Sequence, residues 1–257
     1  METQANIYDY PEYYDLVYGS DWQAEFDFLI ECFDHYMPKP VKEIFEPACG
    51  TGRLLYRLGQ AGYGVSGNDL NEKSIEFCNQ RLVSHGLPET TFVGDMSDFQ
   101  LSQQVDVGFN MINSFRHLSS EQQAVDHLKC MRAAIADGGV YILGLHLSPL
   151  EGDTCDEESW TASEDGLAIT SRLWLVERNL AGRYEEYAMS YEVESLNEKV
   201  EITDQLRFRT YTATDFEKLI EGSGFQIEAV HDFRYDIDYS FFLNPRVEDA
   251  VFILRAV

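Results

Sequence analysis

Apolar positions change their spacing along the chain, and the change marks regions of different predicted structure. From Trp22 to Tyr36 they recur every three to four residues, which predicts an amphipathic helix that ends before Pro38. From position 41 onward, short apolar runs alternate with helical stretches. The runs predict strands over Val41–Ala48, Tyr63–Asp69, Thr90–Val93, Val105–Met111 and Val140–Leu147.

The segments between these strands have the periodicity of helices. Ser119 and Ser120 are candidate caps for one of them, and Asp137-Gly138-Gly139 predicts a turn before the most apolar strand. Strands that alternate with helices indicate a parallel sheet with right-handed crossovers and helices on both faces. The predicted helices cover Gly52–Gln60, Glu72–His85 and Ser119–Ile135.

Beyond Pro149 the pattern changes to segments of β character. An acidic loop at Glu151–Glu158 leads into this region, and Ala181-Gly182 and Asn197-Glu198 mark its turns. The segments predict an antiparallel unit of two to four strands, over Ala168–Glu177, Tyr184–Glu194 and Val200–Tyr211. The alternation of helix and strand then resumes over Thr214–Glu221, Phe225–Phe233 and Asp249–Leu254.

The predicted fold class is therefore α/β: a doubly wound, mostly parallel seven-stranded sheet with an inserted antiparallel β unit. Residues 1–40 form a tyrosine-rich lid and the first helix. Residues 41–150 and 212–257 form the core, and residues 151–211 form the inserted flap. Within the flap, we expect four aromatic side chains to face the sheet below or a second copy of the chain: Trp174, Tyr187, Tyr191 and Phe208.

Charge and cysteine content narrow the function classes. With 45 acidic and 19 basic residues among 257, the net charge is −26, which disfavours nucleic acid and anionic membranes as partners. The five cysteines have no CxxC or zinc spacing, so we expect reduced thiols and no metal site. The start of the chain is polar and no apolar run reaches membrane-spanning length. We therefore expect a cytoplasmic protein.

The strongest chemical signal is a glycine turn at residues 46–54, between the first strand of the core and its helix. Glu46 ends the strand, and Gly50 and Gly52 allow the backbone to bend sharply and approach a ligand. The helix that follows offers unpaired N–H groups. Asp69, at the end of the next strand, can accept hydrogen bonds from a ribose. This plan is that of a nucleotide-binding site.

Two nucleotide-binding patterns differ from this turn. A dinucleotide fingerprint needs a third glycine where this chain has Leu55, and no Gly-Lys-Ser or Gly-Lys-Thr follows for a phosphate-binding loop. The turn and its neighbours instead resemble the class I S-adenosylmethionine-dependent methyltransferases over residues 41–147. The motifs in order are Glu46-x-x-x-Gly50-x-Gly52, Asp69, Gly94-Asp95-Met96 and Asp137-Gly138-Gly139. A looser resemblance links Tyr14-Asp15-x-x-Tyr18 and the insert to the sugar N,N-dimethyl- and glycine-type N-methyltransferases.

The resemblance implies a Rossmann-like methyltransferase fold, S-adenosylmethionine as cofactor and roles for particular residues. Glu46 would hold the methionine amino group, Asp69 the ribose and Asp95 the adenine amino group. The same three carboxylates could instead be a strand-end acid, a helix N-terminal acid and a turn acid. The other implied cofactor contacts are Gly50 and Gly52 beneath the cofactor, Leu70 and Met96 at the adenine, and Asn110 near the methyl group.

The tyrosines of the first 20 residues are further candidates. Tyr8, Tyr14 and Tyr18 could close over the cofactor, with hydroxyls at its carboxylate and rings at the sulfonium. They could equally pack the first helix onto the core. His117, just beyond the fourth core strand, is the candidate general base, with a surface or helix-entry role as the alternative.

The acceptor is predicted to be a small molecule, methylated at N or O. The end of the fourth strand reads Asn110-Met111-Ile112-Asn113, without the prolines of adenine-N6 and cytosine-N4 methyltransferases, and no Pro-Cys nucleophile follows it. Cys49, in the glycine turn, is expected to be packed rather than reactive. Two alternatives stay open: a nicotinamide-dependent oxidoreductase and a non-catalytic binding module. A large apolar strand face is unfavourable in water, so the insert could form a homodimer interface or a roof over the acceptor site.

Overall fold

The structure is a computed structural model that describes residues 2–151, 156–195 and 199–257. Cys155, part of the predicted acidic loop Glu151–Glu158 and the predicted turn at Asn197-Glu198 lie outside the described residues. The strands are β1 (Glu2–Gln4), β2 (Glu43–Pro47), β3 (Gly64–Asp69), β4 (Thr91–Val93), β5 (Val105–Asn110), β6 (Ile135–His146), β7 (Glu157–Glu164), β8 (Leu167–Asn179), β9 (Tyr184–Glu194), β10 (Lys199–Arg209), β11 (Phe225–His231) and β12 (Asp249–Ala256).

Helices connect these strands and two short 3₁₀ helices precede longer elements. The α-helices are α1 (Pro11–Tyr18), α2 (Gln23–Tyr36), α3 (Leu55–Gln60), α4 (Glu72–Ser84), α5 (Glu121–Ala134) and α6 (Ala213–Ile220). The 3₁₀ helices cover Ile7–Asp9 and Ser114–His117.

The core is a seven-stranded sheet in the order β11-β12-β6-β5-β2-β3-β4. Its pairs are parallel except those of β12, which is antiparallel to both β6 and β11. Separate apolar clusters cover the two faces. Leu55 of α3 and Ile75 of α4 pack on one face, whereas Leu128 of α5 and Phe216 of α6 pack on the other. The doubly wound α/β fold predicted from the sequence is confirmed.

Two core boundaries differ from the predictions. The helix expected from Gly52 begins at Leu55, because the glycine turn occupies the preceding residues. Strand β6 begins at Ile135, and the predicted turn at Asp137-Gly138-Gly139 is part of this strand, in an irregular stretch opposite Val105. Gly138 has φ +79°, a conformation that glycine adopts without a steric penalty.

The start of helix α5 could be predicted from the sequence because its capping residues are close together in the chain. Ser120 accepts a hydrogen bond from the backbone N–H of Gln123, and the Gln123 side chain accepts from the backbone N–H of Ser120. This reciprocal capping box satisfies two N–H groups that the first turn of a helix leaves unpaired. Of the two candidate caps, Ser120 is therefore the one used.

A second, five-stranded sheet has the order β1-β10-β9-β8-β7. Strands β7 to β10 form an antiparallel meander, and β1 from the start of the chain pairs parallel with β10. The sequence analysis missed β1, which is only three residues long. It also missed β7, which begins at Glu157 within the predicted acidic loop.

Residues 2–18 form one apolar layer with strands β7 to β10. Ile7 and Val17 are buried against Ile169 of β8, Tyr191 of β9 and Ile202 of β10. The pleat of β8 places Trp174 with exposed residues rather than with this buried set, and the prediction that it faces a second copy stays open. The N-terminal segment and the insert, far apart in sequence, thus pack as a single layer.

Candidate functional site

The glycine turn lies at the carboxyl edge of the core sheet, between β2 and α3. Gly50 and Gly52 have φ values of +51° and +66°, which an L side chain adopts only with strain. The N–H of Gly50 donates to Asp69 Oδ2 at 2.9 Å. A Cβ on Gly50 would meet nothing within 4 Å, whereas one on Gly52 would lie 2.3 Å from Sγ of Cys78. Gly50 therefore borders open space, and Gly52 allows close packing of α4.

Asp69 is held by the backbone on both carboxylate oxygens. Besides the bond from Gly50, its Oδ1 accepts from the N–H of Asn71 at 2.8 Å. Burial raises the pKa of Asp69, and the two backbone hydrogen bonds oppose that shift because they stabilise the charged form. The result is an oriented carboxylate next to the glycine turn, as a ribose-binding acid requires.

Glu46 and Arg53 carry unpartnered buried atoms on either side of this turn. Oε2 of Glu46 has no hydrogen-bond partner, and desolvation raises the pKa of Glu46 well above its usual range, against the attraction of Arg53. Arg53 donates from Nη2 to Glu25 at 2.6 Å, but its Nη1 is buried without a partner. Because such orphaned atoms are costly, the pair favours a ligand that carries both an ammonium and a carboxylate. The sequence analysis missed Arg53, although it directly follows Gly52.

The end of β4 supplies the third motif. Oδ1 of Asp95 accepts from the N–H and the hydroxyl of Ser97, at 2.7 and 2.8 Å. The carbonyl of Met96 accepts from Nδ1 of the buried His127 at 2.8 Å, which fixes the loop that carries both predicted adenine contacts. Burial lowers the pKa of His127 to about 4, so the ring is neutral at pH 7. Leu70 is 69% exposed on the adjoining loop.

A strained turn follows β5. Ile112 and Asn113 both have positive φ, +52° and +68°, which is rare for a β-branched residue such as Ile112. Just before it, the buried Asn110 donates from Nδ2 to the carbonyl of Pro47 at 2.7 Å, and its Oδ1 has no partner. Such strain concentrates at functional sites, where the surrounding structure holds it in place.

The N-terminal segment closes over the glycine turn through a charged anchor. Asp15 of α1 accepts from Oγ1 of Thr51 at 2.9 Å and pairs with the guanidinium of Arg81, which also donates to the carbonyl of Thr51. Nearby, the Nδ2 of Asn71 donates to Asp9 at 2.7 Å. The segment is thus fixed to the turn and to the start of α4.

The three predicted tyrosines belong to this segment and pack against one another. The rings of Tyr14 and Tyr18 lie 4.8 Å apart between centroids, and those of Tyr8 and Tyr14 lie 5.9 Å apart. Burial raises the pKa of Tyr8 well above its usual range, and the nearby charge of Asp69 adds to the shift. The hydroxyl of the fully buried Tyr191 has no partner. The three predicted tyrosines and the cofactor-side acid are therefore neighbours.

His117 joins the tyrosine cluster from the second 3₁₀ helix. Its Nε2 lies 3.1 Å from the hydroxyl of Tyr8, and its ring lies 4.8 Å from that of Phe208. Much of the side chain can be reached by solvent, yet protein surrounds it closely. This desolvation, reinforced by Arg116, lowers the pKa of His117 to about 4. At pH 7 the imidazole is neutral but only weakly basic.

Beyond this cluster, a cavity of about 220 Å³ separates the core from the second sheet. The strained turn and the ends of β6 and β12 form its floor, and β7 to β10 form its roof. Tyr187 and Phe208 contribute aromatic surface. The glycine-turn residues do not line it. Its link to the rest of the site is Asn113, which belongs to the strained turn after β5.

Three further features concern the Cys49 thiol, metal-ligating groups and membrane-spanning helices. Cys49 is buried, and the Cys78 thiol together with burial raises the pKa of Cys49, as for a packed thiol. Among the described residues, no group of three or more His, Cys, Asp or Glu could hold a metal ion. No helix in the described part of the chain is long and apolar enough to cross a membrane.

Comparisons with known proteins give a consistent picture. Residues 44–139 match a family described as "Methyltransferase domain". The chain is 21% identical over 188 residues to "Putative methyltransferase YqeM" of Bacillus subtilis (strain 168), covering 73% of this chain and 74% of that protein.

Two solved structures share the fold over nearly the whole chain. An S-adenosylmethionine-dependent methyltransferase from Clostridium acetobutylicum ATCC 824 superposes with a TM-score of 0.79, at 17% identity, over 98% of this chain and 99% of that one. The sugar N-methyltransferase KedS8 from Streptoalloteichus sp ATCC 53650 gives 0.74, at 17% identity, over 97% and 93%. Residues 44–139 thus match a methyltransferase domain, and the chain shares the fold of these solved methyltransferase structures.

Proposed function

We propose that this protein transfers a methyl group from S-adenosylmethionine to N or O of a small-molecule acceptor. The observation that carries the proposal is the pair of orphaned atoms beside the glycine turn, Oε2 of Glu46 and Nη1 of Arg53. An amino-acid moiety would satisfy both, because its ammonium fits the carboxylate and its carboxylate fits the guanidinium.

The neighbouring residues fit the rest of the cofactor. Asp69 is oriented for ribose hydroxyls by two backbone hydrogen bonds. Asp95 and Met96 would meet the adenine, with Leu70 on its outer side. Gly50 leaves room above the turn. The remaining predicted contacts, which would lie toward the sulfonium and the methionine carboxylate, are Tyr8, Tyr14, Tyr18 and Asn110.

The chemistry then depends mainly on alignment. When bound, the sulfonium supplies a methyl group that is already activated for displacement. The protein orients the acceptor and excludes water, and such positioning contributes up to about 7–11 kcal/mol in favourable intramolecular reactions. The half-buried Tyr8, Tyr14 and Tyr18 and the N-terminal anchor form the water-excluding cover.

A small acceptor agrees with the cavity and the charge. A volume of about 220 Å³ suits a compact metabolite. The net charge of −26 disfavours a phosphate-rich polymer. A sugar N-methyltransferase shares the fold of this chain, which supports an amino or hydroxyl acceptor of that size. The cytoplasmic location and the homodimer stay predictions from the sequence.

Calorimetry with S-adenosylmethionine and S-adenosylhomocysteine tests the cofactor assignment. We expect both to bind, and Asp69→Asn to weaken binding by about 10- to 100-fold, as for a lost charged hydrogen bond. Asp98→Asn, an exposed acid on the loop after β4, is the matched control. Failure of the folded protein to bind either compound would overturn the proposal.

The two alternatives make different predictions. A dinucleotide oxidoreductase fold has the strand order 3-2-1-4-5-6, whereas the antiparallel β12 here lies between β6 and β11. A melting shift with NAD(H) but none with S-adenosylhomocysteine would nevertheless favour that class. Transfer of labelled methyl to any small molecule would exclude a purely non-catalytic binding module.

A further inference from the structure

A histidine–carboxylate pair lies in the acceptor cavity, outside the predicted cofactor contacts. His146 ends β6, and Asp249 begins β12 directly opposite it in the sheet. Nδ1 of His146 lies 2.7 Å from Oδ1 of Asp249. A carboxylate only accepts hydrogen bonds, so it holds the proton of a neutral imidazole on Nδ1. Nε2 is then the basic nitrogen.

The pair is linked to the strained turn that precedes the cavity. The backbone N–H of His146 donates to Oδ1 of Asn113 at 2.7 Å, and the N–H of Asn113 donates to the carbonyl of Gly144 at 3.0 Å. Strands β5 and β6 are adjacent and parallel. Their carboxyl ends lie on the edge where α/β sheets bind ligands. His146 is therefore placed on the acceptor side of that edge.

We propose that the His146–Asp249 pair accepts the proton that the acceptor loses on methylation. This rests on the proposed function. Nε2 of His146 takes the proton from the acceptor N or O, whose lone pair forms the bond to the methyl carbon. The carbon–sulfur bond breaks, and its electron pair stays on sulfur. Asp249 stabilises the imidazolium, which passes its proton to solvent.

His117, the base expected from the sequence, is less suited to this role. Its Nε2 is engaged with the hydroxyl of Tyr8, and its ring contacts Phe208. Arg116 is next to it and disfavours a positive charge on the ring. His146 instead has a carboxylate partner for the charged form. Its side chain is 28% exposed, which leaves a path for the proton to water.

The charges around His146 also favour an imidazolium and an acceptor that arrives as an ammonium. The cavity lining contains five carboxylates but two arginines, and both arginines pair with one of the carboxylates, Glu185. The ring of Phe233 packs against the ring of His146, with 5.0 Å between their centroids. The hydroxyl of Tyr235 is close enough to Asp249 for the carboxylate charge to act on it. The other charged groups around the cavity are Arg116, Glu157, Glu158, Arg178, Glu185 and Glu248.

The first test observes the pair without an acceptor, by NMR of the imidazole ring nitrogens at pH 8. His146→Asn identifies the His146 signals by their loss. We expect the wild type to carry the ring proton on Nδ1 and Asp249→Ala to lose that preference, because the carboxylate that accepts this proton is removed. The same proton position in both proteins would overturn the dyad.

The second test is the pH dependence of methyl transfer. Labelled S-adenosylmethionine is incubated with the ultrafiltered small-molecule fraction of a bacterial extract, and initial rates are measured. We expect the wild-type rate to rise with pH through an acid limb. His146→Asn, which keeps a donor toward Asp249, should lose that limb and about 100-fold or more in rate. Asp249→Asn should also lower the rate, because the carboxylate no longer stabilises the imidazolium.

Control variants distinguish the loss of the base from a general loss of activity. His35→Gln, at an exposed position on α2, should keep the wild-type rate and limb. His117→Gln should keep the limb. Binding of S-adenosylhomocysteine by His146→Asn shows that the variant is folded and that the cofactor site is intact.

Two outcomes would overturn the proposal. If His146→Asn keeps its rate within about threefold and its acid limb, the pair is a cross-strand contact only. If the wild type transfers no label, the dyad has no substrate and the inference fails. Calorimetry then decides separately whether the cofactor assignment stands.

Discussion

The glycine turn and the layer that covers it are built in opposite ways. The turn draws Glu46, Gly50, Gly52 and Arg53 from one short segment, and the end of the next strand adds Asp69. The cover joins residues 2–18 to strands β7 to β10, the first of which begins at Glu157. Motif spacing therefore predicts the residues of the turn but gives almost no information about which residues form the cover.

The two regions also differ in what holds them. The turn depends on backbone geometry, with positive φ values and N–H groups directed at Asp69. The cover is attached to the core by one buried and one half-buried ion pair. Arg116, after β5, pairs with Glu185 of β9, and Asp15 of α1 pairs with Arg81 of α4. The turn should thus be sensitive to added atoms, and the cover to lost charges.

The largest effect is expected where the cover meets the core. Glu185→Leu leaves the guanidinium of Arg116 buried without its carboxylate and should reduce the free energy of unfolding by about 3–5 kcal/mol. Arg116→Met combined with Glu185→Leu should recover most of the loss, because the buried guanidinium is removed with its partner and the half-buried Arg178 keeps its pair with Asp156. Urea denaturation of the three proteins measures this. Equal losses in the single and double variants would contradict the assignment.

The next effect concerns the two glycines of the turn. Gly52→Ala brings a Cβ within 2.3 Å of Sγ of Cys78 at a positive φ. It should cost about 2–4 kcal/mol, as overpacking and backbone strain add. Gly50→Ala meets no neighbour within 4 Å and should cost about 1–2 kcal/mol. Denaturation midpoints compare the two, and a larger loss for Gly50→Ala would refute the packing role of Gly52.

A smaller effect is expected from the anchor of the N-terminal segment. Asp15→Asn removes the ion pair with Arg81 and weakens the bond from Thr51. Affinity for S-adenosylhomocysteine should fall about 10- to 100-fold, the range for charged hydrogen bonds. Glu12→Gln, on the exposed side of the same helix, is the control and should bind as the wild type does. Equal affinities for the two variants would separate the segment from cofactor binding.

The smallest expected effect is a gain in stability, on replacement of Glu46. Burial raises the pKa of Glu46, so stability falls as pH rises from the unfolded-state pKa of about 4.3 to the raised folded-state pKa. Above that value the penalty for ionising Glu46 is complete. Glu46→Gln carries no charge and should stabilise the ligand-free protein at pH 8 by about 1 kcal/mol. The difference should vanish near pH 4.

The same variant tests the function of Glu46. It should bind S-adenosylmethionine more weakly while it melts at a higher temperature, because the orphaned carboxylate is useful only with a ligand. Thermal melts at pH 4 and pH 8, combined with calorimetry, check both parts. Glu46→Gln that is less stable than the wild type at pH 8 would show that Glu46 already has a sufficient partner.

The sequence by itself determined the α/β core and the glycine turn, because strand and helix periods are local and the turn residues are contiguous. Capping by Ser120 was readable for the same reason. Tertiary structure alone decided that residues 2–4 form an edge strand beside β10, that Arg53 has an orphaned nitrogen and that His146 meets Asp249. The first and third are contacts between segments that are distant in sequence, and the second is the absence of such a contact. Such pairings follow from sheet order and burial, which local patterns do not encode.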